Sequence, residues 1–149
     1  MKFQFSLLPC ALIPLLTIST VALGGGKVKL PPSAKMLTKA EVMAVYGGKS
    51  AEWTHPNTDK VTGTVTWDAT VSTATGTWKD GKNSGKWEGK ITFKGDQYCY
   101  ETHGSAGNDP FPKKYNKMVC NLVYQDTDGM TYEVDPKSKK VLSTDKIVN

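Results

Sequence analysis

No arginine occurs anywhere in this chain; all 19 basic residues are lysine. Arginine's planar fork is the usual means of holding phosphate or guanine through two hydrogen bonds at once. Without it, sequence-specific recognition of nucleic acid is not expected, and a formal charge of +5 leaves only loose attraction to polyanions. Histidine is nearly as scarce. His55 and His103 each sit beside turn residues, and neither an H-x-x-x-H nor an H-E-x-x-H spacing occurs. No serine stands in a Gly-x-Ser-x-Gly setting. The chain therefore reads as non-enzymatic, with no cofactor and no metal. The weak alternative is a hydrolase built on His103 with Asp109.

Long apolar runs are also missing, except at the start. Lys2 precedes a largely apolar stretch over residues 7–23, and Ala22-Leu23-Gly24 places small residues where a signal peptidase reads them. Pro9 and Pro14 would interrupt a spanning helix. Residues 1–24 are thus expected to be a cleaved signal peptide, giving a periplasmic or secreted protein with no membrane span after cleavage. About 125 residues remain, which suits one domain. Loss of Lys2 leaves a charge of about +4.

Cysteine is sparse too. Cys10 lies inside the apolar run, so Cys99 and Cys120 remain. An even pair in an oxidising compartment reads as a disulfide, stabilising the fold by roughly 3 kcal/mol in the chain-entropy model.

What the sequence does contain is alternation. Over residues 86–94, Trp87, Gly89, Ile91 and Phe93 share one face while Lys86, Glu88, Lys90, Thr92 and Lys94 share the other, as in a half-buried strand. Cys120 lies in a second apolar run, residues 118–124. The disulfide is therefore expected to pin two strands of one antiparallel sheet. Residues 25–36, with Gly25, Gly26, Pro31 and Pro32, read as an extended leader. Thr38 followed by Glu41 is a capping-box pattern opening a short helix that Gly47-Gly48 stops. That helix is too short to be stable alone and must dock on the sheet.

Further strands are expected over residues 50–53, 61–67, 69–78, 97–101, 118–125, 130–135 and 141–144. Asn83-Ser84-Gly85 reads as part of a turn, Asp126-Thr127-Asp128-Gly129 as a hairpin turn, and residues 145–149 as a frayed tail. Trp67, Trp78 and Trp87 recur about every ten residues, the spacing of a meander of hairpins. Residues 37–149 are thus predicted to be one disulfide-stapled, mainly β domain. It should form a small antiparallel β-barrel or strongly twisted meander sheet with one short N-terminal helix; a two-sheet β-sandwich is the alternative.

Several of these residues carry a family resemblance. Leu37-Thr38, Glu41, Tyr46-Gly47-Gly48-Lys49 and Gly76-Thr77-Trp78, followed by Tyr98-Cys99, Cys120, Val123-Tyr124, Asp128-Gly129 and Tyr132, resemble a group of small exported alphaproteobacterial proteins. That group is a domain of unknown function, and the resemblance implies localisation in the cell envelope.

Candidate site residues fall in two places. The connection over residues 102–117 carries His103, Asp109, Phe111, Lys113, Lys114 and Tyr115, and long connections of this kind are often functional. Trp67, Trp78 and Trp87 either fill the core or line a barrel cavity. The function expected is a cell-envelope binding or structural module of unknown ligand, with a small apolar-ligand carrier as the alternative. An envelope polyanion would match the lysines of residues 79–94. Asp126, Asp128 and Glu133 resemble part of a calcium loop without its spacing. They read more simply as solvated carboxylates, as does Asp135.

Overall fold

Alternation along each strand and the pairing of each strand with the next decide the architecture. The computed structural model describes residues 28–56, 61–104 and 117–148. Its strands are β1 (Lys35–Met36), β2 (Ser50–Thr54), β3 (Val61–Trp67), β4 (Thr73–Asp80), β5 (Asn83–Lys94), β6 (Gln97–Gly104), β7 (Val119–Gln125), β8 (Thr131–Val134) and β9 (Val141–Val148), with α1 at Lys39–Tyr46. From β2 to β9 every strand pairs antiparallel with its successor, and β9 returns to pair with β2. The result is a closed eight-stranded antiparallel barrel rather than a sandwich. Closure leaves none of those eight strands as an exposed edge. The short β1 is an additional strand against β7.

Register shows how the interior is filled. The row Ala51, Val65, Gly76, Trp87 faces inward, as does the row Trp53, Gly63, Trp78, Gly85. Bulky rings therefore stand opposite glycines. A Cβ on Gly63 would lie 2.6 Å from the Trp53 ring, and one on Gly76 would lie 2.8 Å from the Trp87 ring. Each indole also donates to the carbonyl after its glycine: Trp53 Nε1 to Thr64 O at 3.1 Å, and Trp87 Nε1 to Thr77 O at 3.0 Å. The recurring Gly-Thr and Trp of the sequence are thus a packing device, each ring covering a neighbour that has no side chain. The intervening threonines and lysines face out.

Helix α1 seals one end of the barrel. The capping box at Thr38 and Glu41 is formed, and Lys39 N donates to Asp96 Oδ1 at 2.9 Å, tying the helix start to the β5–β6 turn. Val42 and Tyr46, one helical turn apart, are fully buried. Tyr46 stacks on Trp67, with ring centroids 4.1 Å apart and planes within 2°, and meets Tyr98 edge-on.

Three local expectations are corrected. The strand expected from residue 69 begins at Thr73, because Asp68 gathers Ser72 N, Thr73 N, Thr70 Oγ1 and Ser72 Oγ into a tight turn. Those donors hold its carboxyl well below the usual carboxylate range. Asn83-Ser84-Gly85 is not a turn but the start of β5, paired to Trp78, Lys79 and Asp80. Residues 145–148 are not frayed. They belong to β9, whose Thr144 to Val148 pair with β2 and close the barrel. That pairing joins positions about ninety residues apart, which no local pattern reveals.

The leader has a structural task of its own. Leu30 packs, with Tyr124 and Met130, against the cluster of Tyr132, Val134 and Val141 on the outer face, and Leu37 N donates to Val123 O at 2.8 Å. With Tyr132 and Val134 covered there and Thr131 and Glu133 turned inside, all four residues of β8 are buried.

Cys99 and Cys120 are bonded to each other and stand directly opposite on β6 and β7, Cα atoms 4.0 Å apart. The ladder there is short, only Tyr98 to Asn121, Cys99 to Cys120 and Tyr100 to Val119. Among the described residues, the covalent tie falls at the barrel seam with the shortest ladder. Replacing both cysteines with serine should lower the unfolding free energy by about 3 kcal/mol, read from urea denaturation. An unchanged midpoint would show that the strands hold this seam without it.

Candidate functional site

Inside the barrel, next to the helix plug, lie two carboxylates. β8 turns Thr131 and Glu133 inward, β9 turns Ser143 and Asp145 inward, and β7 contributes Asn121. Glu133 is 6% exposed, Asp145 3% and Asn121 0%. No lysine among the described residues is buried with them. Buried charge without a partner is costly, so the site must be held by hydrogen bonds or by protons.

Both occur. Asn121 Nδ2 donates to Glu133 Oε2 at 2.8 Å, and the Tyr100 hydroxyl also bonds Glu133. Ser143 Oγ lies 3.2 Å from Asp145 Oδ1, and the Tyr46 hydroxyl lies 3.3 Å from Asp145 Oδ2 and 3.2 Å from Thr131 Oγ1. Trp67 Nε1 donates to the Tyr98 hydroxyl at 2.9 Å. Burial, and then the neighbouring Glu133 charge, push the Asp145 carboxyl up to about 8. Burial raises Glu133 as well, opposed by its bonds from Asn121 and Tyr100. Tyr46, Tyr98 and Tyr100 are pushed far up by burial and by the same carboxylates, so they remain protonated donors.

The two ends of the barrel differ. Around α1 the inward residues Tyr46, Ala51, Val65, Trp67 and Tyr98 are buried. Toward the other end, inward-facing Trp53, Trp87, Tyr100 and Ser143 are only half-buried. Trp78 at that end is buried, while Tyr100 and Ser143, the side chains that bond the two carboxylates, keep partial accessibility among the described residues.

The three tryptophans proposed to line one cavity are divided between these ends. Trp67 belongs to the plug, stacked on Tyr46, whereas Trp78 and Trp87 lie toward the opposite end with Trp53. His103 sits on the outer face of β6, opposite Glu88, with Nε2 3.7 Å from Glu101 Oε1. Asp109, Phe111, Lys113, Lys114 and Tyr115 lie outside the described residues.

The calcium-like set does not converge. Asp126 caps its own turn, accepting from Asp128 N, Met130 N and the Tyr132 hydroxyl, while Glu133 points into the barrel. Among the described residues no group of three or more histidine, cysteine or acidic side chains could hold a metal. A depression of about 350 Å³ lies where outward-facing Thr66, Thr75, Thr77, Lys86 and Glu88 surround Gly76 and Trp87.

Glu133 corrects the reading of a solvated carboxylate, and Asp145 was missed within the supposed tail. In β8 the usual alternation is inverted: Tyr132 and Val134 face outward beneath Leu30, so the polar Thr131 and Glu133 are the ones turned inside. The only sequence signal was that Glu133 shares parity with Thr131 between two large apolar residues.

The fold defines the chain as a small closed β-barrel domain with an acidic, tyrosine-rich interior. It belongs to the family described as Protein of unknown function (DUF995), which matches residues 13–138. No curated protein and no solved structure matches it. No helix among the described residues is long and apolar enough to cross a membrane.

The raised acid sets a direction for stability. Between the ordinary aspartate value and about 8, the folded chain keeps a proton on Asp145 that the unfolded chain has lost. Stability should therefore fall as pH rises through that window, by at most about 1.4 kcal/mol per pH unit for one group. Urea denaturation of the wild type and of Asp145→Asn from about pH 5 to 8 reads this out. The variant's profile should be flatter; equal slopes would show that Asp145 does not titrate as its burial requires.

Proposed function

We propose that this is an exported, non-enzymatic binding module of the cell envelope that takes a small ligand through the open end of its barrel. The observation that carries this reading is the asymmetry of the interior. One end is shut by α1, while the other keeps inward-facing Trp53, Trp87 and Tyr100 partly accessible. Barrels of eight strands have room for side chains or for one small ligand. Export is supported by the apolar run after Lys2 and by the disulfide, a bond that persists in oxidising compartments. The alphaproteobacterial origin suggested by the sequence motifs agrees with a periplasmic setting. Outward-facing Lys79, Lys90 and Lys94 on β4 and β5 suit attraction to an anionic envelope polymer.

A purely apolar cargo fits less well, because the polar floor would be left facing hydrocarbon. A hydrolytic role for His103 draws no support from its outward position beside Glu101. Tryptophan fluorescence tests the binding reading, since Trp53 and Trp87 border the opening. Titration with a broad panel of small amphipathic molecules should quench or shift the emission for some members, with the response reduced in Trp87→Phe. A panel that changes neither emission nor melting temperature would retire the proposal.

A further inference from the structure

Hydrogen-bond capacity inside the barrel is unbalanced. Glu133 and Asp145 offer carboxylate oxygens, and the hydroxyls of Ser143 and Thr131 can turn their lone pairs toward the same space. Asn121 adds an independent observation. Its side chain is fully buried and directed at Glu133, yet its Oδ1 has no hydrogen-bond partner among the described residues. A buried acceptor left unmade costs about 1–3 kcal/mol, so native structures rarely keep one without a reason. What the cluster lacks is a compact donor carrying positive charge.

Resting on the binding reading above, we propose that the barrel's ligand is a small primary amine, whose ammonium group seats among Glu133, Asp145 and Asn121 while its organic part occupies the opening. An ammonium supplies three donors, enough for one bond to each carboxylate and one to Asn121 Oδ1. Its charge meets the two acids that no buried lysine neutralises. The ring of Tyr100, half-buried with its hydroxyl bonded to Glu133, and the indole of Trp53, in register with Asp145, border the approach. Aromatic faces beside such a path attract cations. A bare divalent metal ion suits the site less, since hard cations want six or more oxygens and only two carboxylates converge.

The proposal carries its own proton balance. The titratable groups facing Asp145 are Glu133 from β8, Tyr98 and Tyr100 from β6, and Tyr46 from α1; the inward residues of β2 and β7 carry none. The tyrosines stay protonated, so the proton held by the acid pair leaves when an ammonium arrives. Affinity should therefore rise roughly tenfold per pH unit for one released proton, levelling off near pH 8 where Asp145 ionises unaided.

The test is calorimetric titration of the disulfide-intact protein with 2-phenylethylamine, beside the neutral isostere 2-phenylethanol and calcium chloride. The amine should bind and release a proton, the alcohol should bind at least about tenfold more weakly, and calcium should leave the melting temperature unchanged. Asp145→Asn and Glu133→Gln should each weaken amine binding by about tenfold or more, with near-ultraviolet circular dichroism confirming the fold. If either variant fails to fold, the wild-type pH dependence decides, and a flat affinity from about pH 6 to 8 overturns the proposal. Equal binding of amine and alcohol would overturn the ammonium site while leaving ligand entry at the open end intact. Stabilisation by calcium alone would make it a metal site and overturn the amine. A silent amine beside a responsive fluorescence panel removes only this inference, whereas a silent panel removes the binding reading with it.

Discussion

One tyrosine joins the helix, the barrel floor and the acidic pair. Tyr46 leaves the last turn of α1, lies flat on Trp67 from β3, and reaches Asp145 on β9 with its hydroxyl. Stacking fixes the ring, and the ring fixes where the hydroxyl can donate. A helix of eight residues has little stability of its own and is held here through its buried face. Its partner on β9 belongs to the strand that closes the barrel. Plug, closure and buried acid are therefore mutually supporting.

That dependence explains how a small domain tolerates two buried carboxyl groups. Bonds from Asn121, Tyr100, Ser143 and Tyr46 replace part of the lost hydration, and protons neutralise what remains. Such an arrangement costs stability relative to an apolar core of equal volume. The outer surface shows the reverse economy of means: threonine and lysine outside, with Leu30 of the leader covering the apolar outer patch of β7 and β8. The leader makes β8 a strand buried on both faces, and that is why a glutamate could be turned inward there.

The opposite end is built from the pairing of large rings with glycine. Trp53 lies over Gly63 and Trp87 over Gly76, each ring set across the sheet with its indole bonded to the neighbouring strand. The sealed end uses Tyr46 and Trp67 in the other manner, ring against ring in the centre. The same residue types thus pack in two different ways at the two ends.

Local pattern in the sequence determined the cores of most strands, the capping box and the hairpin turn at Asp126 to Gly129, because each rests on residues a few positions apart, and the joining of Cys99 to Cys120 followed from their being the two cysteines outside the N-terminal apolar run. It also determined the mainly β class. Only the tertiary structure decided which of two faces was inside. Parity along a strand says that Glu133 and Thr131 share a side, but not that Leu30 covers the other. Likewise the tail became a closing strand solely because Ser50 to Thr54 awaited it across the barrel. Pairing over such distances is set by the free energy of closing the whole sheet, a quantity no short window of residues contains.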